Sequence, residues 1–261
     1  MITASAVNEL RKATGAGMMD CKKALQETNG DMEAAIDFLR KKGAKISANR
    51  ADRDAAEGAV IAAASDDKKT GVVIRLNCET DFVAKNDDFV AFAKEIASIA
   101  LKSKPASIEA LLTEKSGDLT LGEKVLDYIG KIGEKIEITC CEFVNGELVV
   151  PYIHAGNKIG VLVALNAASD DIENAGKNVA MQIAAMSPVA LDKNDVPQSV
   201  IDREIEIGKA QAAAEGKPEA MLEKIALGKL NKFYKDSTLL NQDYVKDSSK
   251  TVAQMLNDVH K

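Results

Sequence analysis

Apolar positions recur at helical spacing in three short runs at the start of the chain. Thr3 can cap the first helix, whose inner face is Val7 and Leu10. Thr14-Gly15-Ala16-Gly17 interrupts the pattern, and a second helix is predicted from Met18 to Thr28, stopped by a left-handed Asn29-Gly30. Asp31 caps a third helix with Met32, Ala35, Ile36 and Leu39 at core spacing, closed by Gly43. Residues 1–44 thus read as a three-helix domain with a thin core. Residues 45–57 (KISANRADRDAAE) are polar and alanine-rich with no core stripe, and read as a linker with room for some helix.

From residue 58 the period changes to that of strands, and the pattern occurs twice at an offset of 89 residues. Gly58 to Asn77 aligns without a gap on Glu147 to Asn166, pairing Val60 with Val149, Gly71 with Gly160 and Leu76 with Leu165. Each copy reads as strand, polar turn, strand and helix, the helices being Asp88 to Lys102 and Ile172 to Ser187. They align at a slightly shorter offset, Ile96 on Ile183. A further strand spans Lys135 to Phe143, joined to Leu148 through Asn145-Gly146, a two-residue hairpin signal. The fold class expected is α+β, with duplicated α+β core modules at 58–134 and 135–261.

The second module carries a helical insertion at about 197–235, broken at Gly216-Lys217-Pro218. Ile201, Ile205, Gly208 and Ala212 form one stripe, and Met221, Ile225 and Leu230 face it on the return. Two helices of about four turns each form a projecting antiparallel hairpin. A C-terminal helix closes the module.

Composition narrows the function more than the fold. Apolar residues at 46% and charged residues at 28% are ordinary for a globular chain. No apolar run approaches a membrane span and no signal peptide precedes the first helix, so the chain is expected to act in the cytoplasm without a membrane. Cys21, Cys78, Cys140 and Cys141 form no C-x-x-C pair and read as reduced thiols rather than a zinc site. A net charge of −6 without a basic block argues against direct nucleic-acid binding. The two histidines, His154 and His260, and the absence of nucleophile-elbow, zincin, dinucleotide or P-loop motifs leave no expected cofactor, metal or catalytic centre. A non-enzymatic protein that works through its surface is the resulting expectation. Paired carboxylates leave no signature of their own, so an enzyme is the last of three classes.

Two surface features stand out. On the second helix Met18, Cys21 and Leu25 share a stripe, while Met19 lies roughly 150° from its centre. Met18 is therefore expected inside and Met19 outside, as an adaptable contact. After the second strand, the first copy continues Cys78-Glu79-Thr80-Asp81-Phe82-Val83 and the second Ala167-Ala168-Ser169-Asp170-Asp171. The aspartate persists (Asp81 on Asp170), as helix capping would require, but Phe82 does not. Phe82 is either a hydrophobic staple onto the next helix or a projecting interface anchor.

With these segments in place, the chain resembles the elongation factor Ts family over nearly its whole length. The resemblance rests on TGAGMMDCKKAL (Thr14 to Leu25), NCETDFVAKNDDF (Asn77 to Phe89), HAGNKIGVLVAL (His154 to Leu165) and SKTVAQML (Ser249 to Leu256). It implies a ubiquitin-associated-like N-terminal domain, a duplicated core, a protruding coiled coil and guanine-nucleotide exchange on elongation factor Tu. By position it assigns partner contacts to Arg11, Met18, Met19, Asp20 and Lys22. It links Thr80, Asp81, Phe82 and Val83 to displacement of the partner's magnesium ion. His154 resembles a further contact, although a satisfied polar side chain at a strand end accounts for it equally. Family members commonly continue into another strand with a Phe-x-Arg-Phe-like run, whereas this sequence ends at His260-Lys261 and leaves that strand's part open. The competing class is an adaptor or chaperone-like scaffold, for which Met19 matters and Phe82 does not.

Overall fold

A computed structural model describes residues 2–259, so His260 lies outside them. They divide into two compact units: the described residues up to Val144 with Ile153–Gly160, and Asn145–Tyr152 with those from Val161 onward.

The first unit opens with α1 (Ala4–Thr14), α2 (Met18–Glu27) and α3 (Met32–Asn49). Their caps are those expected. Thr3 Oγ1 accepts from the Ala6 N–H at 3.2 Å, and Asp31 accepts from the Ala34 N–H at 2.9 Å. Asn29 and Gly30 both take positive φ, and the Gly30 N–H reaches back to the Leu25 carbonyl at 2.8 Å to end α2. Leu10, Cys21, Ala24, Leu25 and Ala35 are fully buried between the three helices.

The chain then forms β1 (Glu57–Ala64) and β2 (Thr70–Cys78), antiparallel and in register from Glu57 opposite Cys78 to Ala64 opposite Gly71. Next come the single turn α4 (Asp81–Ala84), α5 (Asp87–Ser103), α6 (Ile108–Thr113), the small hairpin β3 (Lys115–Ser116) and β4 (Leu119–Thr120), α7 (Leu121–Ile132) and β5 (Ile136–Asn145). The sheet order is β1-β2-β5. Phe89, Phe92, Ala93, Ile96 and Ala100 of α5 close over Ile61, Val72, Ile74 and Leu76 of the sheet to make the main core.

β6 (Leu148–His154) and β7 (Ile159–Leu165) pair with each other, and the second unit takes them up to Tyr152 and from Val161, followed by α8 (Asp170–Met186). The hairpin helices α9 (Gln198–Ala214) and α10 (Glu219–Ser237) follow, then β8 (Asp243–Tyr244), β9 (Asp247–Thr251) and α11 (Val252–Val259). Val161, Val163, Val179, Ala180, Val252 and Met255 form its core. The architecture is α+β with a helical N-terminal region. No helix among the described residues is long and apolar enough to cross a membrane.

Several expectations are corrected. Gly43 does not close α3, which runs on to Asn49 through the start of the expected linker. A Cβ at Gly43 would lie 2.5 Å from the Leu126 carbonyl oxygen, so this glycine permits a helix crossing. Asn145-Gly146 is not a hairpin turn, because β5 pairs with β2 while β6 pairs with β7, and neither residue has positive φ. Gly146 is needed instead beside β7, where a Cβ would stand 2.9 Å from the Leu165 oxygen. Met221 is exposed rather than part of the hairpin seam, which is made by Gly208, Ala212, Ala226 and Leu230. It sits in the first turn of α10, and helical side chains lean toward the N-terminus, so it overhangs the end of its partner helix.

The two repeat helices also align differently. Both α5 and α8 have 17 residues, and each ends on a left-handed non-glycine cap, Lys104 at φ 47 and Ser187 at φ 45. Matched by their C-terminal caps, Asp170 falls on Asp87 and Ile183 on Ala100, whereas matched by their N-caps Ser169 falls on Thr80 and Asp170 on Asp81. The stretch from Thr80 to Lys104 is longer than that from Ser169 to Ser187 and holds the extra turn α4, which bears Phe82.

Candidate functional site

β2 ends at Cys78, and two residues later Thr80 starts α4 as its N-cap, its Oγ1 accepting from the Val83 N–H at 3.4 Å. Within a single turn neighbouring side chains point in different directions. Val83 packs against the main core and Ala84 is buried, which leaves Phe82 facing out at 83% exposure. The staple reading of Phe82 is therefore overturned. Asp81 pairs with Lys85 one turn later at 2.6 Å, and that hydrogen bond holds its carboxyl below the usual carboxylate range.

The backbone under this turn is held from two directions. Glu134 Oε2 accepts from the N–H groups of both Glu79 and Thr80 at 3.1 Å, and its Oε1 accepts from Thr80 Oγ1 at 2.7 Å. Glu79 Oε1 in turn accepts from the Lys135 N–H at 2.6 Å. Arg50 grips both oxygens of Glu79 at 2.7 and 2.8 Å. The Lys135 amide first, and Arg50 after it, keep the Glu79 carboxyl below its ordinary range. Cys78 donates its thiol to the Thr80 carbonyl at 3.2 Å, and burial pushes that thiol up to about 11.

Sequence reasoning missed Arg50, Glu79 and Glu134. Glu134 follows Gly133, the left-handed cap of α7 at φ 82, but nothing in the sequence points from it to the strand end it holds. Arg50 sits in the polar stretch after α3, where nothing distinguishes it from its solvated neighbours.

The remaining candidates form a second group on α1 and α2. Met19 is 73% exposed, as expected, but Met18 is 53% exposed where burial was expected. Met18 is the first residue of α2 and overhangs the end of its own stripe, and the small core is closed there by the buried Ala16. Asp20 pairs with Lys42 of α3 at 2.5 Å. Arg11 and Lys22 are exposed, and the charges of Asp20 and Arg11 both reach the buried Cys21 thiol, which burial raises above its ordinary value.

His154 is exposed at the end of β6 and leads into a turn in which Ala155, Gly156 and Asn157 all have positive φ. The Asn157 carbonyl accepts from the Val60 N–H at 2.7 Å, and Lys158 pairs with Glu57 at 3.2 Å. Lys158 also contributes, behind Lys85, to holding Asp81 ionised. No group of three or more His, Cys, Asp or Glu side chains among the described residues could hold a metal ion.

A sequence model of the family described as Elongation factor TS matches residues 79–261, a span that begins at the Glu79 end of the site. An elongation factor Ts of Cytophaga hutchinsonii is 58% identical over 262 residues, covering 100% of this chain and 94% of the relative. One from Amoebophilus asiaticus is 54% identical, covering 99% and 94%, and one from Clostridium perfringens is 47% identical, covering 100% and 88%. On these matches the chain belongs to the elongation factor Ts family of translation elongation factors.

Proposed function

We propose that the chain binds elongation factor Tu carrying GDP in the cytoplasm and speeds release of the nucleotide, without a bound cofactor and without catalysing a reaction of its own. The observation that carries this reading is Phe82, an apolar ring 83% exposed on a turn whose first backbone amides, those of Glu79 and Thr80, are held by Glu134. Solvated aromatic rings on held backbone suit an anchor for a complementary pocket.

A nucleotide in a P-loop site is held by backbone N–H groups and by Mg²⁺ bridging its phosphates. Phe82 wedges beside that site, with Thr80, Asp81 and Val83 shaping the turn and Asp81 offering an acceptor to nearby donors. Shifting the elements that hold the ion removes charge neutralisation, and GDP leaves. Arg11, Met18, Met19, Asp20 and Lys22 provide a second contact on the GTPase domain, and His154 a third. Coupling of this kind is reciprocal: the factor weakens nucleotide binding as much as nucleotide weakens binding of the factor, and GTP completes the cycle by displacing it.

Release of a fluorescent GDP analogue from elongation factor Tu, followed by stopped flow, tests the reading. Strong acceleration by the chain, much reduced in Phe82→Ala, is the expected result. No acceleration sinks the exchange function and favours an adaptor, and equal acceleration by both keeps the function but removes Phe82 from it.

A further inference from the structure

We infer that Glu134 is a positioning residue for Phe82, with Glu79 and Arg50 completing the device; the inference rests on the exchange reading for the task that Phe82 performs. The geometry is that of a reciprocal clamp. Glu134 accepts from the backbone of Glu79 and Thr80, while Glu79 accepts from the backbone of Lys135. Arg50 completes it by placing one guanidinium nitrogen, Nη1, between the two oxygens of Glu79, a charge-assisted contact that holds the Glu79 carboxylate in place.

Starting a helix does not require this arrangement. Thr80 already caps α4 with its own hydroxyl oxygen. In the second copy Ser169 starts α8 in the same way, accepting from the Ile172 N–H at 3.2 Å, and no carboxylate accepts from the amides beside it among the described residues. The clamp is found only where the extra turn carries an exposed phenylalanine. A single helical turn has too few hydrogen bonds to keep one direction in water. With residues 79 and 80 fastened to the α7–β5 junction, the Cα–Cβ bond of Phe82, two residues on, is aimed before a partner arrives. Preorganisation of this kind removes an ordering cost from the step in which the ring is used.

The experiment pairs a double-mutant cycle with amide exchange on the full chain. Glu134→Ala and Glu134→Gln are each made alone and with Phe82→Ala, and GDP release from elongation factor Tu is measured over a range of factor concentration. Glutamine keeps the size but presents one oxygen to donors that now use two, so it is expected to fall between wild type and alanine. Glu134→Ala is expected to lower the maximal release rate about tenfold, or about 1.4 kcal/mol, with the half-saturating concentration little changed. In the Phe82→Ala background it should cost nothing further, because the brace acts only through the ring. The Glu79 and Thr80 amides of the free chain should exchange faster in Glu134→Ala.

A tenfold loss that persists without Phe82 overturns the inference, as does an unchanged maximal rate. Undiminished protection of the two amides also overturns it, whatever the release data show. Absence of acceleration by the unsubstituted chain defeats the exchange reading instead, and the bracing of the turn is then decided by the amides alone.

Discussion

Gly43 of α3 and Gly130 of α7 meet at a crossing that leaves no room for a side chain on Gly43 and little for one on Gly130. A Cβ on Gly130 would stand 3.1 Å from the Gly43 Cα, and one on Gly43 would stand 3.4 Å from the Gly130 Cα and 2.5 Å from the Leu126 carbonyl oxygen. All the obstructing atoms are backbone, so rotation of a side chain cannot relieve the overlap. The last helix of the N-terminal trio is thereby laid directly on the helix that leads to Glu134. Gly43→Ala is expected to destabilise by about 1–3 kcal/mol, although alanine is intrinsically the better helix former by about 1 kcal/mol. Gly228 of α10 has no atom within 4 Å of its would-be Cβ, so Gly228→Ala should show that helical gain instead. Urea unfolding of both variants checks the pair, and a Gly43→Ala chain as stable as wild type would contradict the crossing.

Glu79 makes the clamp sensitive to acid. Its folded-state pKa lies below the ordinary glutamate value because the Lys135 amide, and then Arg50, favour the charged form. A depressed pKa means stability that is fully present above the unfolded value of about 4.3 and is lost as pH falls through the folded value. Glu79→Gln should therefore melt below wild type at pH 7, and the two curves should converge as pH falls below about 4. Thermal midpoints across that range decide it. A gap that stays constant down to the lowest pH would mean that the Glu79 charge contributes nothing.

Met19 projects from α2 without supporting the three-helix core. Met19→Ala should change stability by no more than about 0.5 kcal/mol. Under the proposed function it should nevertheless weaken binding of nucleotide-free elongation factor Tu by about tenfold, or about 1.4 kcal/mol, more than most interface side chains contribute. Calorimetric titration beside a thermal melt separates the two effects. Undiminished affinity would remove Met19 from the contact surface.

Cys78 is buried, and burial pushes its thiol up to about 11. With so little thiolate present at pH 8, it should resist a chromogenic disulfide reagent in the native chain and react only after unfolding. Peptide mapping after brief labelling reads this directly. Rapid native labelling at Cys78 would show that the Cys78–Thr80 strand end opens.

Features set by neighbours in sequence were legible along the chain. Thr3 and Asp31 cap the helices they precede because a short oxygen-bearing side chain reaches only a few residues ahead. The left-handed pair Asn29-Gly30, the alternation in β1 and β2 and the Gly216 break between α9 and α10 belong to the same class. Met19 and Phe82 could be singled out as candidates on the same local grounds.

The misreadings share the opposite cause. A glycine looks the same whether it ends a helix or admits another helix against it, so Gly43 read as a stop until α7 was seen beside it. Asn145-Gly146 has the composition of a hairpin turn, but strand partners are chosen by the remaining strands, and β2 takes β5. Met18 keeps the period of its stripe and is still exposed, because periodicity gives the direction of a side chain and not whether a neighbour lies there. The clamp is the extreme case. Thr80 and Glu134 stand 54 positions apart, and what makes them partners is that packing α5 and α7 on one sheet brings the end of β2 to the start of β5. Local chemistry specified the caps of the N-terminal helices, the β1–β2 pair and the break between α9 and α10, whereas the meeting of distant carboxylates with backbone amides depended on the packing between elements.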